Sequence, residues 1–241
     1  MEWLNVLNSD QRLTVLVAVL STLLGGGVSL ATSYFLAKSA RSFDLKEKQK
    51  TQLEQRAFYA QKAIIKLFEL GNSSISIKMH IDEQFDEADA AGDSGLEPVQ
   101  KVQEIVSGNI KLETLLPEEI AFLLHTNESD LLMEILVFEK RVISHQAVVS
   151  AYNKYRAELT ELMSSGLVSA QGKVATVELK GTDGILANVK ISALNNLLGQ
   201  FMEKLDRDSI DAISLLNRFS SVAKKTFGEH FPTLVMEAPK C

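Results

Sequence analysis

The chain has 241 residues, 46% of them hydrophobic, and a formal net charge of −6. A pI near 5.3 excludes a general nucleic-acid binder, which needs a basic face to displace counterions from phosphate. Its one cysteine, Cys241, excludes a disulfide or a Cys-rich metal site within these residues.

Residues 1–12 form a short leader carrying Glu2, Asp10 and Arg12. Residues 13–37, LTVLVAVLSTLLGGGVSLATSYFLA, hold no charge at all. A hydrocarbon core about 30 Å thick is crossed by about 20 helical residues, so this run is long enough to span it with some tilt. Lys38, Arg41, Lys46, Lys48 and Lys50 follow, diluted only by Asp44 and Glu47. Basic residues beside a span stay on the cytoplasmic side, which predicts a single-pass protein of the plasma (inner) membrane, its N-terminus outside and its large domain cytoplasmic. The competing reading is a cleaved secretory signal with residues 13–24 as its apolar core and Ser29-Leu30-Ala31 as its cleavage site. Against it stand a leader without net positive charge, an apolar run that continues through Tyr34, Phe35 and Leu36, and the basic cluster beyond.

Within the run, Ser21, Gly25, Ser29, Ser33 and Ala37 recur at every fourth position. Lipid offers little hydrophobic reason for helices to associate, so small residues that let backbones approach closely supply it. The stripe predicts a helix–helix interface in the membrane, with a second copy or another membrane protein as partner besides the bilayer itself.

Residues 38–70 lack proline and glycine, and Leu53, Ala57, Ala60, Ile64 and Leu67 share one heptad seam. The expectation is a juxtamembrane stalk continuous with the span, stopping at Gly71-Asn72, about 80 Å of helix in all. Residues 71–100 read as an acidic linker, rich in Asp82, Glu83, Asp86, Glu87 and Asp89. His80, Glu83 and Glu87 fall on one helical face, but the spacing fits no EF-hand loop, and a solvated acidic segment is preferred to a metal site.

Residues 101–228 read as an antiparallel helical bundle. Pro117 with Glu118 and Glu119 marks a first turn. A long helix then runs to about residue 164, with Leu131, Phe138, His145, Tyr152 and Leu159 on one seam and Ile135, Val142, Val149, Arg156 and Met163 on its partner. His145 and Arg156 are polar members of an apolar seam. Read structurally, they are a satisfied core histidine and an arginine that snorkels or pairs with Glu113 or Glu203; read functionally, a pH-sensitive or ligand-contacting pair.

Glycines at 166, 172, 181 and 184 enclose β-branched residues, predicting a short β excursion near 173–180. Glu178-Leu-Lys180 matches the acid-x-Lys element of metal-dependent nucleases, but such a fold needs further strands and an upstream Asp that this chain lacks. Two more helices follow. Asp183 is expected to cap one that ends near Leu205, and Asp206 to Ser209 to restart another that Gly228 closes. Residues 229–241 form a tail.

No glycine-rich phosphate loop, HExxH pair or Cys–His arrangement is present, so neither a catalytic residue nor a cofactor is predicted. The expected fold is mainly α. The expected function is that of a membrane-anchored helical interaction protein: a scaffold, a regulator or a subunit of a membrane complex. The alternative is a membrane-tethered sensor whose bundle binds a small ligand, and its one support is the His145–Arg156 pair.

Overall fold

A computed structural model describes residues 9–106, 112–164, 166–171, 174–179 and 181–234. Side chains at 9–13, 15–16, 18–20 and 22–31 of the first helix, and at 167–171 and 174–176 of the strands, lie outside that description. The chain is mainly α-helical: α1 (Ser9–Ala90), α2 (Pro98–Lys101), α3 (Pro117–Ile120), α4 (Phe122–His125), α5 (Ser129–Ser164), β1 (Leu167–Gln171), β2 (Val174–Glu178) and α6 (Thr182–Phe227).

The chain divides into two units, Met1–Gln55 and Arg56–Cys241. In the first, every residue from 32 to 55 is helical and solvent-exposed. Tyr34, Phe35 and Leu36 expose two thirds of their surface, 66%, 67% and 66%. Among the described residues no helix is long and apolar enough to cross a membrane. Most side chains of the uncharged run are outside that set, although its backbone is helical throughout.

The second unit is a helical bundle. Residues 60–70 of α1, 131–142 of α5 and 212–223 of α6 contribute to one apolar cluster. Ile77 and Ile81 of α1, residues 149–159 of α5 and 187–205 of α6 contribute to another. This order makes α5 and α6 antiparallel, as expected, but α1 parallel to α5. Parallel neighbours cannot be joined by a tight turn, so the chain between α1 and α5 returns along the bundle as a long crossover that includes the short turns α2, α3 and α4. It buries Val99, Val102 and Ile105 in one cluster and Leu115, Ile120, Phe122 and Leu123 in the other.

Several expected boundaries move. Helix α1 continues through Gly71-Asn72 to Ala90, because Ser74, Ile75, Ile77 and Ile81 are buried beyond it and their packing outweighs the roughly 1 kcal/mol helix penalty of one glycine. The acids at 82–89 therefore stand on its last turns. Helix α6 is one helix of 46 residues; Asp208 and Ser209, expected to restart it, are buried inside it, and Ser209 Oγ donates to Leu205 O at 2.7 Å. Asp183 lies in the first turn of α6, and the N-cap is Gly181, with no side-chain cap bond. Gly228, with φ of 102°, closes α6 as expected. The β excursion is the second arm of an antiparallel hairpin that pairs Leu167 with Glu178 and Gln171 with Val174. Residues 173 and 180 of the expected excursion lie outside the described residues.

Candidate functional site

The two apolar clusters are separate, and a polar layer lies between them. Each long helix supplies its members at the point where its apolar contacts change cluster: Ser74 from α1, His145 from α5, Asp208 and Ser209 from α6. His145 Nε2 lies 2.9 Å from Asp208 Oδ2, both side chains being almost fully buried. On the other side of the ring, His145 Nδ1 is 3.4 Å from Ser74 Oγ. The ring also stacks edge-on against Phe201, centroids 5.4 Å apart. A neutral imidazole has one donor and one acceptor, and a charged one has two donors; a carboxylate and a hydroxyl on opposite sides of the ring suit either form.

Arg141, one turn before His145, draws the layer toward solvent. Its Nη1 is 2.9 Å from Asp208 Oδ1 and its Nη2 is 2.5 Å from Asp211 Oδ2. The contact with Asp208 Oδ1 is an ion pair without hydrogen-bond alignment, and Arg141 Nε has no hydrogen-bond partner among the described residues. Arg141 and Asp211 also line a surface groove floored by Met133, Val137 and Leu215. Close by, Lys78 bridges Asp82 at 2.6 Å and Asp206 at 3.3 Å. The hydrogen bond to Asp82, then that to Asp206, raises the Lys78 pKa above its ordinary value.

Ser74, His145 and Asp208 have the composition of a hydrolytic triad. Ser74 is 0% exposed, so no substrate carbonyl reaches its hydroxyl, and the arrangement serves the bundle rather than nucleophilic chemistry. Its effect is on specificity of packing. Sliding one helix by a turn would set His145 or Asp208 against Leu, Ile or Phe, leaving a buried charge or polar group without its partner.

Of the residues singled out in the sequence, His145 is in this layer and Arg156 is not. Arg156 is half-buried near Tyr152, and its Nε has no hydrogen-bond partner among the described residues. Glu113, one of its two expected partners, lies instead 3.6 Å from Lys66. In the stripe, Ser21, Ser33 and Ala37 are exposed, while the side chains of Gly25 and Ser29 lie outside the described residues. Ser21 Oγ donates to Val17 O at 2.6 Å. His80 turns to the crossover, 3.2 Å from Glu104 O, rather than to Glu83 and Glu87. Among the described residues no group of His, Cys, Asp or Glu could hold a metal ion.

A second feature was not legible in the sequence. Side chains, not backbone, hold the extended crossover at residues 103–106. Gln84 Oε1 accepts from Gln103 N at 2.8 Å and its Nε2 donates to Glu104 O at 2.9 Å. Asn153 is bidentate to one residue, accepting from Ile105 N at 3.0 Å and donating to Ile105 O at 2.9 Å. Tyr152 Oη donates to Val102 O at 2.7 Å, and Asn195 Oδ1 accepts from Val99 N at 2.8 Å. Burial pushes the Tyr152 phenol up to about 12, against the opposing charge of Arg156.

No family model, no curated protein and no solved structure matches this chain.

Proposed function

We propose that the chain is a single-pass, membrane-anchored helical interaction protein, acting as a scaffold, a regulator or a subunit of a membrane complex. The observation that carries this reading is the uncharged run at residues 13–37 on an unbroken helical backbone, followed at once by exposed Lys38, Arg41, Lys46, Lys48 and Lys50. A further support is the cluster Tyr34, Phe35 and Leu36, whose exposure is costly in water and suits the headgroup border of a bilayer. In this reading the N-terminus is outside, the bundle is cytoplasmic, and the stripe from Ser21 to Ala37 faces a second copy or another membrane helix. No cofactor or reaction is assigned.

The test is membrane retention. Cells expressing the full chain are fractionated, and the membranes are washed with alkaline carbonate. Retention in the pellet is expected, and release of the intact chain into the supernatant overturns the anchor. Labelling of Cys241 only from the outside would reverse the orientation.

The buried Ser74–His145–Asp208 layer favours a second reading, a sensor whose bundle binds a small ligand and signals through α1. Ligand binding to the native state raises the midpoint of unfolding, so thermal-shift screening of the full chain in detergent separates the two readings.

A further inference from the structure

The crossover is held in an unusual manner for a connecting segment. Among the described residues, no backbone-to-backbone hydrogen bond joins residues 103–106 to anything. Their main chain is read instead by Gln84 from α1 and Asn153 from α5, while Tyr152 and Asn195 hold Val102 and Val99 on the approach. A side-chain amide that donates to and accepts from one residue recognises extended main chain without regard to that residue's side chain. Specificity is left to the sockets. These bury Val99, Val102 and Ile105, at 0%, 0% and 1% exposure, while Gln100, Gln103, Glu104 and Val106 face outward.

Main-chain pairing by fixed amides, combined with apolar sockets at three-residue intervals, is the chemistry of a linear-peptide site. We propose that the cleft between α1, α5 and α6 is such a site, filled in cis by the single turn of α2 and the extended residues that follow it to Ile105, and that it also takes a segment of a partner protein of the same form, one helical turn and then extended chain, with branched aliphatic residues at its first, fourth and seventh places. The crossover is the template for that occupant, contact by contact. It is also the built-in competitor, because a tethered segment has an effective concentration of about millimolar. A partner therefore enters when its own segment binds well enough to displace the strap. One end of the strap begins at the turn that closes α1, where Gly92 adopts φ of 89° and Asp93 N donates to Ala88 O at 3.0 Å.

This inference rests on the reading of the chain as an interaction protein and names the chemistry of its partner. The test uses the full chain in detergent and a fluorescent synthetic peptide of residues 97–106. Val102→Ser combined with Ile105→Ser weakens the strap and should raise affinity for the probe at least tenfold over wild type. Adding Asn153→Ala should lower it again by about tenfold, the worth of its paired hydrogen bonds. A strap variant that keeps its helical circular dichroism yet binds the probe no better than wild type, or binds a scrambled peptide equally, overturns the proposal. If the strap variant does not fold, hydrogen exchange on the wild-type chain decides. Amides of Val99, Gln103 and Ile105 that exchange while α5 stays protected support a vacatable cleft, and exchange only together with α5 overturns it. Membrane retention enters neither arm, so the anchor and the peptide site stand or fall separately.

Discussion

His145 and Asp208 meet across the α5–α6 interface at 2.9 Å, both side chains almost wholly removed from water. Removing one member strands the other. Asp208→Ala leaves the Nε2 side of His145 and one side of the Arg141 fork without their carboxylate, and we expect a loss of about 3–5 kcal/mol in chemical denaturation. His145→Leu with Asp208→Leu should cost less than the sum of the single changes by more than about 1 kcal/mol. Losses that merely add would show that the pair is adjacent but not coupled.

Tyr152 supplies a pH dependence with a definite sign. Its folded-state pKa is raised from 10.0 to about 12 by burial. A phenol is neutral when protonated, so the stability from its burial is complete below pH 10 and is lost as pH rises toward about 12. Ultraviolet titration should show one of the four tyrosines ionising late. Tyr152→Phe should abolish that late step and cost about 1 kcal/mol at neutral pH through the lost bond to Val102.

Lys66 offers a second buried charge to test. It lies 2.9 Å from Glu119, whose side chain is 1% exposed, and donates to Thr114 O at 3.0 Å. Lys66→Met leaves that carboxylate buried without its cation and should cost about 3 kcal/mol or more. Adding Glu119→Gln should restore much of this, since the amide still accepts from Leu116 N and carries no charge. A double variant as unstable as Lys66→Met would locate the loss in packing of the lysine stem.

The stripe in the uncharged run makes a prediction about association. A membrane two-hybrid reporter carrying residues 8–42 should signal, and Gly25→Ile should weaken it by filling the groove between backbones. Equal signals from both would remove the stripe as an interface.

The long α5 was readable because its two seams repeat over several heptads: of the expected apolar members, Leu131, Ile135, Phe138, Val142, Val149, Tyr152 and Leu159 are buried and Met163, at the end, is half-buried. Punctuation was less reliable than periodicity. Asp206 to Ser209 resemble a helix start, yet Asp208 is polar because it answers His145 and Arg141 from another helix, a reason that local sequence does not carry. Gly71-Asn72 resembles a stop, yet the buried face resumes at Ser74. The crossover was the least readable part. Extended chain paired to Gln84 and Asn153, entered from the single turn of α2 that Asn195 holds, has no periodicity of its own, and nothing distinguishes those three amides from surface residues until the helices bring them together. The only available signal was the three-residue spacing of Val99, Val102 and Ile105.

The parallel course of α1 and α5 has a consequence for how the chain comes into being. Helices α5 and α6, joined by a short β ribbon, can find each other locally and early. The apolar face of α1 cannot, because its partners are made later: His145 follows Ser74 by 71 residues, and the α6 residues that share the cluster of Ala60 and Ile64 come later still. During synthesis, that face waits uncovered until nearly the whole chain has been translated. Closure of α1 and its crossover onto the α5–α6 hairpin is thus a late step, and it is the interval in which a newly made chain is most open to capture by another.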